Sequence, residues 1–343
     1  MDSNNNQQNE AKKLEIKNFS YEIVSSYPSK GHSYAMAFNH DCSLLIAGFE
    51  SQIHIYEHKE GVLIQKQILR EHLYQVNTLK FFEKSNLFIS SSSESVIIIW
   101  SIDSNNQWIP QQKLLGHTIQ INCLELNQNE DLIVSGAYDK TIKFWEKQNQ
   151  WICQQTISNQ CGAVYQLSFN DSQNQLICCS DDPLILILQM SQNDQQWIVF
   201  QKIKLDQIGY RLCFIDDYLF TIQLTQGKLQ FFESDQEIKT FKLKTELKLK
   251  SDSPQDQNIF FPLQYIKTKR LLVSKNYQNV HLIRIMENYQ FHPVQSIQYD
   301  GTAIFGCLSK DGEYLITFDG EIDMYNNKQV GSYQLKIRKV KDL

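Results

Sequence analysis

The sequence predicts an all-β fold: a seven-bladed propeller with four antiparallel strands per blade and a ring closed by a terminal strand. Two observations support this prediction. A turn residue followed by strand-forming residues recurs at positions 50, 94, 139, 182 and 226, which are 44, 45, 43 and 44 residues apart. A second motif, ending in Trp-Ile, recurs in step with the first. Periods of this length are typical of four-stranded propeller blades, and the chain shows no helical periodicity.

The best-preserved copy spans residues 116–145. It contains Gly116-His117, then Ser135, an Asp139 placed at a turn, and Trp145 six residues after that turn. Asp is favoured in tight turns because its short side chain accepts hydrogen bonds from the nearby backbone. The residues that follow, from 141 to 145, are mostly β-branched or aromatic and favour a strand.

Other copies place apolar residues three and five positions after the turn, and an aromatic or apolar residue at the sixth. Their turn residues are Glu50, Glu94, Asp182, Gln226 and Asp319. The 93 residues between the last two span two periods, so one weaker copy is expected between them. The segment 271–283 supplies it, with its register left open. Seven copies predict seven blades.

The Trp-Ile motif confirms the phase of the repeat. Trp108, Trp151 and Trp197 each follow the predicted third strand, at intervals of 43 and 46 residues. Each should therefore begin the outermost strand of a blade, where a Trp can cover the edge of the sheet.

The order along the chain follows from this phase. Residues 1–13 form a polar leader that we expect to be disordered, and residues 14–330 form the propeller. The blades cover approximately 31–69, 70–115, 116–157, 158–206, 207–257, 258–296 and 297–330. Residues 14–24 alternate like a strand and are expected to close the ring. Residues 331–343 are interpreted as a basic C-terminal tail, although their alternation competes for the closing role.

These motifs resemble the WD40 repeat family over residues 14–330. The resemblance implies that His117, Ser135, Asp139 and Trp145 join in one buried hydrogen-bonded chain. It also implies that the loops after each Gly-His position share one rim of the ring. Two runs, 151–157 and 166–182, are similar to the WD40 propellers of cytosolic iron–sulfur protein assembly, which are non-enzymatic adaptors. Membership there would imply a role in delivering clusters to client proteins.

Composition limits the function classes. The 343 residues carry a net charge of −5, which does not favour a polyanion partner for the chain as a whole. No apolar run is long enough to span a membrane as a helix. The eight cysteines lack zinc-ligand spacing and a secretory signal is not evident, so buried free thiols and a cytoplasmic location are expected, with a nuclear one left open.

No catalytic, cofactor-binding or metal-binding residues are predicted. Catalytic motifs, phosphate-binding glycine loops and zinc-protease motifs do not occur. The adjacent carboxylates Asp181 and Asp182 coincide with a blade turn, which explains them without acid–base chemistry. A propeller enzyme with a site in the central channel is the least favoured alternative, because Glu125 is the only carboxylate in the first four predicted inner strands.

The sequence favours a scaffold that binds other proteins. The candidate partner-binding rim comprises Tyr34, Tyr74, Ile119 and Tyr138, because exposed aromatic residues often dominate binding energy. An alternative partner, RNA or an acidic protein, would use a basic face made of Lys242, Lys244, Lys248 and Lys250. Nucleic acid is the weaker alternative, because no aromatic residues are interleaved with these lysines.

Overall fold

The chain folds into a ring of seven four-stranded antiparallel sheets. The structure, a computed structural model, describes residues 19–29, 31, 33–235, 237–249, 261–287, 289–320, 322–323, 328–329 and 333–342. The first strand of every sheet lines a central cavity of about 500 Å³, so each blade runs outward from that strand. The predicted all-β, seven-bladed propeller is confirmed.

The first four blades each use four consecutive strands. Blade one comprises β2 (Ser33–Phe38), β3 (Leu44–Phe49), β4 (Gln52–Lys59) and β5 (Val62–Leu69). Blade two comprises β6 (Val76–Phe81), β7 (Leu87–Ser92), β8 (Val96–Ile102) and β9 (Trp108–Leu115). Blade three comprises β10 (Ile121–Leu126), β11 (Leu132–Ala137), β12 (Ile142–Lys147) and β13 (Trp151–Ile157). Blade four comprises β14 (Val164–Phe169), β15 (Gln175–Ser180), β16 (Leu184–Met190) and β17 (Trp197–Lys204).

The last three blades are less regular. Blade five comprises β18 (Gly209–Phe214), β19 (Leu219–Leu224), β20 (Lys228–Ser234) and β21 (Phe241–Lys248). Blade six comprises β22 (Gln264–Ile266), a 3₁₀ turn (Lys267–Lys269), β23 (Leu271–Asn276), β24 (Asn279–Ile285) and β25 (Phe291–Gln298). Blade seven comprises β26 (Ala303–Leu308), β27 (Tyr314–Gly320), β30 (Tyr333–Asp342) and β1 (Phe19–Ser29). Between β27 and β30 lies a short hairpin of β28 (Ile322–Asp323) and β29 (Lys328–Gln329).

The ring is closed by an N-terminal strand, as expected, but β1 spans Phe19–Ser29 where the sequence predicted 14–24, and residues 14–18 lie outside the described residues. Strand β1 pairs antiparallel with β30 and supplies the outermost strand of the last blade. The chain thus begins and ends in the same sheet, which joins the two ends of the ring by backbone hydrogen bonds. The predicted leader, residues 1–13, lies outside the described residues.

Interpreting residues 331–343 as a tail was wrong. Strand β30 pairs with β27 on one side and with β1 on the other, so it is the third strand of blade seven. The sequence pattern had placed that strand directly after Asp319, but the β28–β29 hairpin intervenes. Leu335 and Ile337 explain the difference, since their side chains are buried against blade one and hold β30 in the sheet.

The sixth blade resolves the register that the sequence left open. Asn276 pairs with Asn279, so Tyr277 and Gln278 form a two-residue turn between β23 and β24. Tyr277 has a positive φ of 53°, the left-handed conformation that tight hairpin turns require.

The core is divided among the interfaces between blades. Seven apolar clusters can be traced among the described residues, and each joins two neighbouring sheets. The sheets approach closely: a Cβ added to Gly136 would lie only 2.2 Å from a Val164 methyl group in the next blade. Because each sheet buries both faces against neighbours, one blade cannot complete its core without the next.

A row of glutamines links the outer strands from blade to blade. The side chain of Gln155 in blade three receives a hydrogen bond from the Trp197 N–H (2.9 Å) and donates one to the Trp197 carbonyl (2.6 Å). The same two-bond arrangement joins four further pairs: Gln67 with Trp108, Gln112 with Trp151, Gln201 with Phe241, and Gln295 with Tyr21. Each glutamine lies at a β-bulge between the third and fourth strands, which turns its side chain toward the next sheet.

Two interfaces use different links. In blade five the equivalent bulge position holds Thr245, and the neighbouring interface instead stacks Phe231 on Phe291. Where the ring closes, the Tyr27 hydroxyl of β1 accepts a hydrogen bond from the Leu63 N–H at 2.8 Å. A glutamine side chain that bonds both the N–H and the carbonyl of one residue in the next blade thus recurs in five of the seven interfaces.

We predict that Gln155→Ala lowers the free energy of unfolding by about 1–3 kcal/mol, because the Trp197 backbone loses two hydrogen-bond partners. Urea unfolding at neutral pH measures this change. Gln154→Ala, at an exposed position on the same strand, is the matched control and should change the free energy of unfolding by less than about 0.5 kcal/mol. Equal effects of the two substitutions would contradict the role assigned to Gln155.

Candidate interaction site on one rim

A buried polar chain in blade three organises the rim of the ring. Trp145 donates its indole N–H to Ser135 Oγ at 2.9 Å, and Ser135 Oγ lies 2.7 Å from His117 Nε2. His117 Nδ1 lies 2.8 Å from an Asp139 carboxylate oxygen, and Thr141 bonds the other oxygen. The structure therefore brings together the four residues that the sequence resemblance had grouped.

This arrangement is complete when His117 is neutral. With the proton on Nδ1, the imidazole donates to Asp139 and accepts from the Ser135 hydroxyl through Nε2. A second proton on Nε2 would turn the Ser135 hydroxyl away from its acceptor inside a buried site. Burial lowers the pKa of His117, and this effect outweighs the opposing attraction of Asp139. Burial acts to raise the pKa of Asp139, but hydrogen bonds from Thr141 and the Thr118 N–H outweigh it and lower this pKa, so the carboxyl stays ionised.

Blade two contains the same chain with Glu94 in place of aspartate. His72 Nδ1 lies 2.6 Å from Glu94, its Nε2 lies 2.7 Å from Ser90 Oγ, and Trp100 donates to Ser90 at 2.8 Å. Ser90 was not among the residues predicted from the sequence. Its spacing could have identified it, because Ser90 follows His72 by 18 residues and precedes Trp100 by ten, as Ser135 does in blade three.

The carboxylates also hold the loops that carry the candidate rim residues. Glu94 accepts a hydrogen bond from the Leu73 N–H at 3.1 Å, and Asp139 accepts one from the Thr118 N–H at 3.0 Å. Tyr74 and Ile119 are the next residues along these two loops. The buried network therefore fixes the backbone immediately before each exposed side chain, which lowers the entropy lost when a partner binds.

Five exposed apolar side chains occupy this rim, and we call them the apolar rim. Tyr74, Ile119 and Tyr138 were predicted from sequence, and their exposed fractions are 62%, 53% and 38%. Leu73 at 79% and Leu115 at 71% were missed. The turn and the loop lie side by side, since the Tyr138 N–H donates to the Gln120 carbonyl at 2.9 Å. Sequence periodicity alone does not show which loop side chains stay exposed. A signal for Leu73 did exist, because it directly follows His72, the histidine of the polar chain in blade two.

Tyr34 behaves differently from the other predicted rim residues. Its ring packs edge-on against Phe305 of blade seven, with centroids 4.7 Å apart, and joins the core of that interface. Tyr138 instead begins a row of aromatic rings that extends into blades four and five. Its ring centroid lies 6.1 Å from that of Tyr165, which lies 5.3 Å from that of Tyr210.

The predicted basic face does not form as one surface. A β-bulge in β21 makes Lys242 pair with Glu233, whereas Lys248 pairs with Lys228. Because positions 233 and 228 lie on opposite faces of β20, Lys242 and Lys248 also lie on opposite faces. Lys244 is paired with Glu233 at 2.5 Å, and Lys250 lies outside the described residues.

The C-terminal bases also belong to blade seven. Lys336 forms an ion pair with Asp319 at 2.7 Å, and Lys341 forms one with Glu22 at 3.1 Å. Arg338 is buried and donates to the Thr317 hydroxyl. Lys336 and Lys341 are therefore paired with acidic residues, and Arg338 is buried, so these three residues do not extend a basic patch.

The central channel and the histidines show no assembled catalytic set among the described residues. Glu125 is paired with Lys80 in the channel wall. His58 is buried and bonded to the Cys42 carbonyl and the Gly61 N–H. Within the part of the chain that the structure describes, no three His, Cys, Asp or Glu side chains converge as metal ligands. None of its helices is long and apolar enough to cross a membrane.

Comparison with known proteins identifies the repeat. Residues 63–101, 108–146 and 151–187 each match the family described as WD domain, G-beta repeat. Each matched segment begins in the outer strand of one blade and ends in or next to the third strand of the following blade. The sequence repeat is therefore offset by one strand from the blade, which is why β1 must complete blade seven. A comparison with curated proteins found no match.

The two buried histidines predict a pH dependence of stability. Burial lowers the pKa of both His72 and His117, so the unfolded chain binds more protons than the folded one below about pH 6.5. Their contribution is full above that pH and is lost as the pH falls toward the folded-state pKa values. Urea midpoints measured at pH 7.5 and 5.5 should show lower stability at pH 5.5.

His117→Gln removes one of the two groups and should reduce the difference between the midpoints at pH 7.5 and pH 5.5. The comparison is made within each protein, so the stability that the substitution itself removes does not affect the conclusion. An unchanged difference in the variant would show that His117 does not contribute to the pH dependence.

Proposed function

We propose that this chain, which belongs to the WD40-repeat propellers, is an interaction scaffold that binds other proteins through the apolar rim of blades two and three. The observation that carries the proposal is the concentration of exposed apolar side chains there. Leu73, Leu115 and Tyr74 each expose more than 60% of their surface. An apolar patch on one end of a rigid ring is the kind of surface that partners cover.

The framework beneath the patch supports this reading. The loops are tied by Glu94 and Asp139 to buried histidines, so the side chains are presented on a fixed backbone. Tyr74 offers a large ring with one hydroxyl, which combines apolar contact with a directed hydrogen bond. Pre-organised surfaces of this kind gain affinity by losing little entropy on binding.

The proposal assigns the protein no chemistry of its own. WD40 propellers are generally non-enzymatic scaffolds, and the polar chain in blades two and three is fully used in holding the loops. The RNA alternative loses its main support, because Lys242 and Lys248 lie on opposite faces of the sheet. Lys242 and Lys244 are also paired with the acidic residues Asp235 and Glu233.

We predict that the double variant Tyr74→Ala/Ile119→Ala reduces recovery of partner proteins at least tenfold in affinity purification from the protein's own cells, which is about 1.4 kcal/mol. Both side chains are exposed, so the melting temperature should stay within about 2 °C of the wild type.

Ile198→Ala/Leu243→Ala is the matched control. These residues are similarly exposed, at 48% and 50%, but lie on the outer strands of blades four and five. Full recovery by the rim variant would contradict the rim assignment, and loss by the control variant alone would place binding on the side of the blades. Tyr34 is left out of the test because its packing on Phe305 would mix stability with binding.

The more specific proposal is that the partners belong to cytosolic iron–sulfur protein assembly. It rests on the sequence resemblance of residues 151–157 and 166–182, which form the outer strand of blade three and the first hairpin of blade four. Depletion of the protein in its own cells should lower the activities of cytosolic iron–sulfur enzymes while their polypeptide levels remain. Unchanged activities would reject this assignment and leave the scaffold proposal intact.

A further inference from the structure

Blade four has lost the histidine and serine of the polar chain and carries two cysteines instead. Cys178 lies four residues before Asp182, as Ser135 lies four before Asp139 and Ser90 four before Glu94. The register agrees: Ser135 pairs with Leu124 in β11–β10, and Cys178 pairs with Leu167 at the same place in β15–β14. Cys178 therefore occupies the position of the serine.

Cys161 lies in the loop that holds the histidine in blades two and three, but one residue nearer the first strand: 17 residues separate it from Cys178, whereas 18 separate His117 from Ser135. It lies between the outer strand of blade three and the first strand of blade four, where His117 lies one blade earlier. It packs against the same apolar cluster that contains Cys178. In blades two and three, the histidine Nε2 and the serine Oγ are 2.7 Å apart. In blade four, the Asp181 N–H donates to the Ala163 carbonyl at 3.0 Å and holds this loop beside the end of β15. The thiols of Cys161 and Cys178 are in hydrogen-bond contact there.

The two thiols differ in exposure and acidity. Cys161 is partly exposed, whereas Cys178 is fully buried. A hydrogen bond from the Cys178 thiol lowers the pKa of Cys161, while the same contact and burial raise the pKa of Cys178 well above its ordinary value. An accessible thiol with raised thiolate character beside a second thiol is the usual arrangement of an attacking and a resolving cysteine.

We propose that Cys161 and Cys178 form an oxidation site, in which a hydroperoxide converts the pair to a reversible disulfide. The Cys161 thiolate attacks the terminal peroxide oxygen, the O–O bond breaks, and an alkoxide or hydroxide leaves and takes a proton from solvent. The resulting Cys161 sulfenic acid is attacked by Cys178 sulfur. The new S–S bond forms as the S–O bond breaks, and the hydroxyl leaves as water with the Cys178 proton. The two sulfurs lose two electrons, which the peroxide gains.

The disulfide replaces a missing restraint. In blades two and three the His–Ser hydrogen bond fastens the loop before the first strand to the second strand. In blade four the same connection becomes covalent only after oxidation. The loop containing Cys161 leads directly into Tyr165, which contacts Tyr138 of the apolar rim, so oxidation stiffens the margin of that surface.

The test treats the full-length chain with hydrogen peroxide, blocks remaining thiols with iodoacetamide, and maps non-reduced peptides by mass spectrometry. The expected product is a peptide linked through Cys161 and Cys178, which dithiothreitol cleaves. Cys179 is adjacent, but its side chain belongs to the next interface, so Cys179→Ala should retain the link. Cys161→Ser and Cys178→Ser should lack it, and Cys178→Ser should accumulate a dimedone-reactive sulfenic acid at Cys161.

Cys153, an exposed single thiol on β13, is the internal control for ordinary surface reactivity. The proposal requires Cys161 to be oxidised at least as fast as Cys153 and to be captured by Cys178. It is overturned if Cys161 stays reduced while Cys153 is oxidised. It is also overturned if dimedone labels Cys161 equally in the wild type and in Cys178→Ser, because capture by Cys178 would then be absent. The disulfide-linked peptide is measured in the wild-type chain, so a variant that fails to fold does not affect this part of the test.

Discussion

The structure depends on the burial of both faces of every sheet. A four-stranded sheet with two apolar faces is unstable in water, and it becomes stable only when a neighbour covers each face. Each interface here has its own apolar cluster, and Gly136 shows how closely the sheets approach. A row of such sheets has two open ends, so the last blade must cover the first. Strand β1 meets this need by pairing with β30.

The periphery of the ring is held by a second device. The outer strand is the most exposed part of each blade, and in blades two, three and four the backbone N–H and carbonyl of its first residue bond to the side chain of a glutamine in the preceding blade. Glutamine is suited to this position because its amide carries a donor and an acceptor on one planar group. Gln67, Gln112 and Gln155 each use both. Apolar packing therefore governs the inside of each interface, and side-chain amides align the outer edge.

The sequence predicts the number and phase of the blades well because both depend on short patterns. A turn such as that at Asp139, followed by strand residues, is local information, and its regular recurrence removes ambiguity. The third strand of blade seven could not be predicted from this pattern, because the β28–β29 hairpin inserts residues between the second and third strands. An insertion leaves the local pattern of the earlier strands intact and moves only the later pairing, which is decided by burial of residues such as Ile337.

Side-chain direction was less predictable than strand position. Alternation places Lys242 and Lys248 on one face only when the strand is regular, and one bulge residue reverses the relation. The same bulge recurs in blades one to four and six, but β21 has Thr245 where those blades have the glutamine that marks it. Tyr34 and Tyr74 each lie two residues after a histidine, but Tyr34 is in β2, at the position of Asn77 in β6, and packs on Phe305. The spacing between the histidine and the first strand therefore differs between blades one and two, and periodicity alone does not show this.

The polar chain connects fold and function through its carboxylate. His117 and Ser135 lie inside the blade, whereas Asp139 bonds both the imidazole and the backbone of the exposed loop. The buried residues thus determine the position of the rim loop. A substitution at His117 or Ser135 would shift this loop although neither side chain contacts a partner. Blade four retains the acidic position at Asp182 but exchanges the imidazole and hydroxyl for two thiols. A permanent restraint in blades two and three has become a chemically adjustable one, placed where the rim of the ring continues beyond Tyr138.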